Sequence, residues 1–211
     1  MTTLRSIDDI VSVIHARRSA MPESRLIVGI VGAPGSGKST VAVEVVEGLG
    51  SGAAILPMDG FHLAQATLVE LGRRDRMGAP DTFDVDGLVR VLDRLVDPRE
   101  SGHVPAPGFG REREEPEVEA IDLAPDARVI VLEGNYLLLD SGGWERVAAV
   151  LDVSFSIEID RELRLERLIA RHERYGKSPE AARAWALGPD EANARLIEAT
   201  ERRADYRIAL G

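Results

Sequence analysis

The chain has 211 residues, of which 44% are hydrophobic and 29% are charged, a balance typical of one globular domain with a substantial core. It contains no cysteine, which excludes disulfides and thiolate metal sites. A formal net charge of −10 argues against general nucleic-acid binding, and no apolar run approaches the roughly 20 residues that span a bilayer. Because residues 1–9 carry no signal-peptide core, we expect a cytoplasmic protein without nucleic-acid or membrane partners.

The first predicted elements are a helix, a buried strand and a second helix. Residues 6–20 carry apolar side chains at helical spacing, and Ser6 with Asp9 resembles a capping box. The apolar run 26–31 predicts a buried strand, and residues 40–49 predict a helix whose apolar side chains share one face. The glycine-rich residues 32–39 therefore join a strand to a helix.

The loop between that strand and helix carries a phosphate-binding motif. Residues 32–39 fit G-x-x-x-x-G-K-[ST], in which glycines let backbone N–H groups point at phosphate oxygens. The motif assigns Lys38 to the β- and γ-phosphates and the Ser39 hydroxyl to Mg²⁺, and we expect Lys38 to face solvent in the free protein. The alternative is a plain glycine turn. The predicted nucleotide-binding residues here are Gly32, Ala33, Pro34, Gly35, Ser36, Gly37, Lys38, Ser39 and Thr40.

Later elements alternate between apolar strands and helices. Strands are predicted at 53–57, 128–134, 153–159 and 206–210, and helices at 84–96, 161–174, 179–187 and 189–203. Residues 97–110 are rich in Pro and Gly and predict a loop, and the charged run 111–119 is expected to be exposed. This alternation implies a parallel sheet covered by helices on both faces.

Two acidic residues lie at the carboxyl ends of predicted strands, at the edge where open α/β sheets bind ligands. Asp59 comes after the strand at 53–57, and Glu133 ends the strand at 128–134. Phosphoryl transfer needs a group that orients the attacking hydroxyl and a group that holds Mg²⁺, so we assign Asp59 the first role and Glu133, with Ser39, the second. The alternatives are a turn residue for Asp59, which precedes a glycine, and a solvent-facing strand end for Glu133.

These motifs recur in the same order in a known superfamily. The phosphate loop, the Asp-x-Phe at 59–61, the segment 80–84 and the segment 131–134 resemble uridine kinases, phosphoribulokinases and bacterial pantothenate kinases over about residues 26–205. The chain resembles in particular a bacterial branch described as nucleoside-kinase-like or fructose-transport-kinase-like. The resemblance implies ATP and Mg²⁺ as cofactors and Asp59 as the catalytic base.

The same resemblance implies the architecture. We expect one P-loop kinase domain over residues 1–211, with the α/β fold of P-loop NTPases. This fold is a three-layer sandwich with a five-stranded, mainly parallel sheet. A helical lid is expected over about residues 161–190.

The lid contains a row of arginines. Arg164, Arg167 and Arg171 are spaced by three and four residues, so they share a helix face. In the resembling kinases such arginines meet the ATP phosphates, although His172 replaces the Asp of the uridine kinase pattern. The resemblance therefore implies catalytic roles for Arg164 and Arg167 and nucleotide binding by Arg171, with Asn193 near the base. The alternative is a solvated helix face paired with neighbouring glutamates.

The acceptor-binding residues implied by the resemblance are Asp59, Phe61, His62, Phe83, Arg111 and Arg113. Uridine kinases carry a Tyr-Asp-Phe element in this region, where the present chain has Pro-Gly-Phe at 107–109 or Phe-Gly-Arg at 109–111. The acidic residue of that element is missing, which argues against uridine as the acceptor. The alternatives are a packing role for His62 and a solvated charge run for the two arginines.

The sequence therefore predicts an ATP-dependent kinase that phosphorylates a hydroxyl of a small metabolite, which is a sugar, a nucleoside or a pantothenate-like alcohol. We expect a monomer or a homodimer. The alternative is a nucleotide-switched protein without a small-molecule acceptor, such as a GTPase. The guanine-reading N-K-x-D motif is absent, and the D-x-x-G matches at 75–78 and 140–143 do not directly follow apolar strands.

Overall fold

A computed structural model describes residues 1–210 and places eight strands in them. These are β1 (Thr2–Leu4), β2 (Leu26–Val31), β3 (Ala53–Pro57), β4 (Val104–Gly110), β5 (Glu115–Leu123), β6 (Val129–Gly134), β7 (Val153–Ile157) and β8 (Tyr206–Ile208). Six of them form a parallel sheet in the order β1-β8-β7-β2-β6-β3. Val28 of β2 lies beside Val131 on one side and Val153 on the other. Strands β2 and β6 are buried along their whole length, as parallel strands covered on both faces are.

Eight α-helices occur in the same residues. These are α1 (Ile7–Ala20), α2 (Lys38–Leu49), α3 (Gln65–Glu70), α4 (Val85–Val96), α5 (Trp144–Ala148), α6 (Arg161–Arg174), α7 (Pro179–Trp185) and α8 (Glu191–Glu198). The capping box of α1 is confirmed, because Ser6 Oγ accepts from the Asp9 N–H and the Asp9 carboxylate accepts from the Ser6 N–H. The single helix predicted over 189–203 is wrong, since Pro189 lies in a π-helical turn and α8 ends at Glu198.

Two apolar cores, one on each face of the sheet, give the three layers that the resemblance implied. On one face α1 and α2 cover the sheet and bury Ile14 and Val45 completely. On the other face α4, α5 and α8 contribute Leu88, Trp144 and Ile197 to the core. No helix within residues 1–210 is both long enough and apolar enough to cross a membrane.

The central sheet has six strands, one more than the five expected. β1 pairs in parallel with β8, so that Thr2 lies beside Tyr206 and Leu4 beside Ile208. A three-residue strand with one buried side chain is too short to show an alternating pattern, so the sequence does not reveal it.

An antiparallel hairpin of β4 and β5 stands where the sequence predicted a loop and an exposed charged run. Val104 and Ala106 of β4 are buried in the core that contains α4, which explains why the segment is ordered. The hairpin lies directly on the turn after β3, since a Cβ on Gly60 would overlap the Pro107 carbonyl. It therefore reaches the carboxyl edge of the sheet, where ligands bind in open α/β folds.

Candidate active site

The phosphate loop joins β2 to α2, in the strand–loop–helix arrangement that its motif requires. Gly35 and Gly37 have φ values of 82° and 88°, which residues with a Cβ rarely adopt. Gly35 also lies against α6, because a Cβ there would be 2.7 Å from the Leu168 side chain. The loop leads into the N-terminus of α2, where free N–H groups and the helix dipole favour anions.

Lys38 begins α2 and is buried, with only 8% of its surface exposed. The expectation that it faces solvent is wrong, because its side chain is enclosed between the walls of two neighbouring cavities. Among residues 1–210, no carboxylate pairs with its ammonium group at salt-bridge distance. A buried cation without a partner is costly, so this position is prepared for negative charge from a ligand.

Ser39 and Glu133 join the first turn of α2 to the end of β6. Ser39 Oγ donates a hydrogen bond of 3.0 Å to Glu133 Oε1, and Glu133 is only 4% exposed. Burial raises the pKa of the Glu133 carboxyl, and the Asp59 charge adds to this, whereas Lys38 and the Ser39 hydrogen bond oppose it. The carboxylate does not face solvent, contrary to the alternative weighed from the sequence.

This pair suits the magnesium ligands assigned from the sequence. A hydroxyl and a carboxylate are hard oxygen donors, and Mg²⁺ takes one or two such groups together with waters and substrate phosphates. Within residues 1–210, no group of three or more His, Asp or Glu side chains is arranged to hold a metal. A protein-only metal cage is therefore absent from the described chain, whereas a phosphate-completed site fits the Ser39 and Glu133 oxygens.

Asp59 lies in the single 3₁₀ turn that follows β3. Its side chain is 28% exposed, and its Oδ2 lies 3.9 Å from Nη2 of Arg111. Burial disfavours the ionised carboxyl, but interactions with His62, Lys38, Arg111 and Arg171 together hold the pKa of Asp59 below its ordinary value. The carboxylate is ionised at neutral pH and can accept a proton.

An aromatic group stands beside Asp59. The His62 ring lies 4.0 Å from the Phe83 ring and 4.7 Å from the Phe109 ring, between centroids. His62 Nδ1 lies 2.8 Å from the Asp59 carbonyl oxygen, to which it donates in the matching tautomer. Burial lowers the pKa of the His62 imidazole, although the Asp59 carboxylate opposes that shift. His62 therefore packs between two aromatic rings and also steadies the turn that carries Asp59.

Two cavities meet at the carboxyl edge of the sheet. The larger, here called the nucleotide cleft, has a volume of about 620 Å³ and lies between the phosphate loop and α6. Its defining residues are Gly35, Gly37, Ser39, Thr40, Arg167 and Arg174. The smaller, here called the acceptor cavity, has a volume of about 130 Å³. Its defining residues are Asp59, His62, Phe83, Phe109, Asn135 and Lys177.

Three cations stand where these cavities adjoin. Lys38, Arg111 and Arg171 line both the nucleotide cleft and the acceptor cavity. Arg111 comes from the hairpin and Arg171 from α6, so the junction is assembled from three separate parts of the chain. A group that moves from one cavity to the other passes these positive charges.

The arginines of α6 have different environments. Arg164 is 2% exposed, its Nη2 lies 2.5 Å from Glu191 Oε2, and its Nη1 has no hydrogen-bond partner within residues 1–210. Arg167 lines the nucleotide cleft, and Arg171 lines both cavities. Neither of these two forms a salt bridge with a carboxylate of the described chain. Arg167 and Arg171 are solvent-exposed, as the alternative expected, but the glutamate partners that it named are not formed within the described residues.

Several residues named from the sequence lie elsewhere than expected. Arg164, expected at the ATP phosphates, lines neither cavity, and Pro34 lines the acceptor cavity instead of the nucleotide cleft. Phe61 is 4% exposed and belongs to the apolar core instead of the acceptor cavity. The Arg113 side chain is 73% exposed and pairs with Glu117 at 2.8 Å, as a solvated charge run would. Asn193, expected near the nucleotide base, lines the acceptor cavity and donates to the Gly78 carbonyl at 3.2 Å. Asn193 lies there because α8, which carries it, borders the acceptor cavity.

Several wall residues were missed by the sequence reasoning. Arg174 and Tyr175 line the nucleotide cleft, and Arg174 continues the helical spacing of the α6 arginines, which is the signal that could have found it. Asn135, Lys177 and Asp190 line the acceptor cavity. Only Asn135 lies beside a recognised motif, because it follows the strand end that carries Glu133 by two residues.

Comparisons with known proteins identify the family of this chain. The Phosphoribulokinase / Uridine kinase family profile matches residues 27–209. The Escherichia coli protein YggC is 30% identical, covering 93% of this chain and 83% of its own length, and the uridine kinase of Halobacterium salinarum is 31% identical, covering 87% and 80%. A crystal structure from Silicibacter sp. TM1040, provisionally named a fructose transport system kinase, has a TM-score of 0.89 and 36% identity, covering 97% of this chain and 99% of its own. The chain belongs to the phosphoribulokinase and uridine kinase family.

Proposed function

We propose that the protein is an ATP-dependent kinase that transfers the γ-phosphoryl group to a hydroxyl of a small metabolite held in the acceptor cavity. Family membership supports phosphotransfer from ATP to a small molecule. The observation that carries the proposal is the junction at which Lys38, Arg111 and Arg171 line both cavities. Phosphoryl transfer needs such positioning and positive charge between donor and acceptor, and little covalent help from the protein.

The proposed reaction uses Asp59 as the base. Its ionised carboxylate takes the proton of the acceptor hydroxyl while the hydroxyl oxygen forms a bond to the γ-phosphorus. The bond from that phosphorus to the β–γ bridging oxygen breaks, and ADP leaves with the electron pair. The proton then passes from Asp59 to solvent. Lys38, Arg111 and Arg171 offset the negative charge that develops on the phosphoryl oxygens.

Ser39 and Glu133 would hold Mg²⁺, which supplies further neutralisation of the phosphate charge when it is bound. Arg167, Arg171 and Arg174 add positive charge from α6, and none of them pairs with a carboxylate within residues 1–210. This excess of cations stands in a chain whose net charge is −10, which supports a polyphosphate as the ligand of the nucleotide cleft. In this proposal residues 161–190 act as the lid that excludes water.

The test is acceptor-dependent release of ADP, screened over sugars, nucleosides and vitamin precursors with the wild-type protein. A kinase is stimulated by its acceptor, and the product carries the phosphoryl group lost from ATP. Lys38→Ala serves as the inactive control. Slow hydrolysis of ATP that no compound in the screen stimulates would overturn the proposal and favour a nucleotide-switched protein.

A further inference from the structure

We propose that the acceptor is a compact polyhydroxylated molecule with an anionic group, and that the ammonium group of Lys177 binds this anion. The inference rests on the proposed kinase function and names the acceptor class of the same site. The anion is a carboxylate or a phosphate, since both present negatively charged oxygens to a lysine.

Position 177 carries a lysine, a residue type that is rare in this chain. Lys38 and Lys177 are the only lysines among 26 lysine and arginine residues, and both line the acceptor cavity. A lysine is a compact point charge with rotatable donors, whereas an arginine presents a larger planar fork. A compact cation suits a cavity of about 130 Å³.

The carboxylates of the acceptor cavity are already paired with basic groups. Each carboxylate on its wall faces a basic group, as Asp59 faces Arg111, Glu114 pairs with Arg74 at 2.7 Å, and Asp190 lies 2.7 Å from His172. Lys177 has no such partner within residues 1–210.

The ammonium group of Lys177 contacts an aromatic ring. The Lys177 ammonium lies 4.9 Å from the centre of the Trp185 ring, which attracts the cation without neutralising it. Lys177 lines the acceptor cavity and not the nucleotide cleft, so the ATP phosphates do not account for its charge.

The wall of the acceptor cavity also includes a buried amide. Asn135 is 8% exposed and lines the acceptor cavity, and its Oδ1 has no hydrogen-bond partner within residues 1–210. A buried acceptor atom left unpaired is costly, so a ligand donor that reaches it gains binding energy. A hydroxyl is such a donor. One hydroxyl for Asp59 and a second for Asn135 make the acceptor a polyol.

The size of the cavity limits the rest of the molecule. A volume of about 130 Å³ is well below the roughly 300–1,000 Å³ of pockets for drug-sized ligands. The rings of His62, Phe83 and Phe109 offer an apolar wall for the C–H face of a short carbon chain. A hydroxy acid or sugar phosphate of roughly three to six carbons suits these limits better than a nucleoside does.

The kinetic test compares acceptors that differ only in the anion. The wild-type protein is assayed with glycerol, glycerate and glycerol phosphate, with fructose, gluconate and fructose phosphate, and with uridine. We expect the anionic members to exceed the neutral ones by about 10- to 100-fold in kcat/KM, the range for a charge-assisted hydrogen bond. The carboxylate and phosphate members distinguish the two sources of the anion. Equal kcat/KM for neutral and anionic members, or a preference for uridine, would overturn the inference.

The variants Lys177→Met and Lys177→Arg separate charge from structure. Lys177→Met should lose the preference by raising the KM of the anionic acceptor about 10- to 100-fold, with the KM of ATP changed by less than about threefold. Lys177→Arg keeps the charge and should retain part of the preference. An unchanged acceptor KM in Lys177→Met would contradict the assignment, and an unchanged ATP KM shows that the variant is folded.

A binding experiment gives an answer that does not require turnover. Reductive methylation with isotope-labelled methyl groups marks only Lys38, Lys177 and the N-terminus, and the two lysine signals are assigned with Lys38→Met and Lys177→Arg. Glycerate and glycerol phosphate should shift the Lys177 NMR signal and glycerol should not, whereas ADP should shift Lys38. If neutral and anionic compounds act alike on Lys177, the inference fails. If no compound is phosphorylated but this pattern holds, the kinase proposal fails alone.

Discussion

The nucleotide cleft and the acceptor cavity differ in how the chain builds them. Apart from Arg111, the cleft is lined by two short segments, residues 35–40 and 167–175. The acceptor cavity draws on residues from Pro34 to Asn193. They belong to the phosphate loop, the turn after β3, the segment between α3 and α4, the hairpin, the end of β6 and the helical segment after β7. The donor side is therefore encoded in local motifs, whereas the acceptor side depends on which distant segments the fold brings together.

The two cavities also differ in charge. The cleft presents the guanidinium groups of Arg167 and Arg174 without carboxylate partners in the described chain, and the acceptor cavity pairs most of its charges and adds aromatic rings. Substitutions at the junction should impair the reaction as a whole, whereas substitutions on one side should act on one substrate. The following predictions test that division, beginning with the largest expected effect.

Lys38→Ala should reduce acceptor-dependent ADP release to background, a loss of about 10⁴-fold or more, since this charge meets the transferring phosphoryl group directly. The ammonium group is buried without an ion-pair partner, so its removal should not lower the melting temperature. Both quantities are measurable, by a coupled ADP assay and by circular dichroism. If the Lys38→Ala variant turns over any acceptor at the wild-type rate, Lys38 has no role in phosphoryl transfer.

Asp59→Asn should lower kcat by about 10²–10⁴-fold, the range for loss of a general base, while the Kd for ATP stays unchanged. Asn keeps the shape of the side chain but cannot take the proton of the hydroxyl. Titration calorimetry with ATP and initial rates with the acceptor measure the two effects separately. Unchanged turnover would make Asp59 a turn residue and place the base elsewhere.

Glu191→Gln should destabilise the fold by about 3 kcal/mol, because it leaves the Arg164 charge buried and unpaired beside the phosphate loop. Arg161→Ala is the matched control. This variant removes the other ion-pair partner of Glu191. The Arg161 side chain is 58% exposed, so its loss should lower the free energy of unfolding by less than about 1 kcal/mol. Urea unfolding at neutral pH measures both. Equal losses of unfolding free energy in Glu191→Gln and Arg161→Ala would show that the burial of Arg164 does not make its ion pair with Glu191 more important than the exposed one.

The same pair predicts a pH dependence of the stability. Burial opposes ionisation of Glu191, but hydrogen bonds from Arg161 and Arg164 hold its pKa below the ordinary value of 4.5. The contribution of the pair is therefore complete above about pH 4.5 and is lost as the pH falls through the lowered pKa. The stability difference between wild type and Glu191→Gln should shrink in acid. A difference that stays constant down to acid unfolding would contradict this assignment.

The smallest expected effect is a shift of the acid limb of the pH profile in Arg111→Met, which adds to the loss of kcat expected for any substitution at the junction. Asp59 acts as a base only when ionised, so the rate falls as the pH drops through its pKa, which nearby cations hold below the ordinary 3.8. Loss of the Arg111 charge raises that pKa, and the acid limb of kcat should move to higher pH. Arg113→Met is the control, because its exposed side chain pairs with Glu117 and should leave the limb in place. Identical pH profiles of kcat for Arg111→Met and Arg113→Met would show that the Arg111 charge does not control the pKa of Asp59.

Many of the strands and helices were predicted correctly from local sequence patterns. The elements that were not predicted have physical reasons for it. The buried strands β2 and β6 and the long helix α6 agree with prediction because each shows a continuous apolar run or a clear helical period. β1 was missed because three residues show no period. The hairpin was missed because its Pro and Gly residues predict a loop, whereas Val104 and Ala106 are buried in the core.

The sequence by itself determined the phosphate loop and the family, because the loop is one contiguous segment whose glycines, lysine and hydroxyl are required by the chemistry of phosphate binding. It also placed Asp59 and Glu133 at the carboxyl ends of their strands. Only the tertiary structure decided that Lys38 is buried and that Asn193 lines the acceptor cavity instead of the nucleotide cleft. Only the structure brought Asn135 and Lys177 into one small cavity, because that meeting depends on the packing of segments far apart in the chain and not on spacing within any of them.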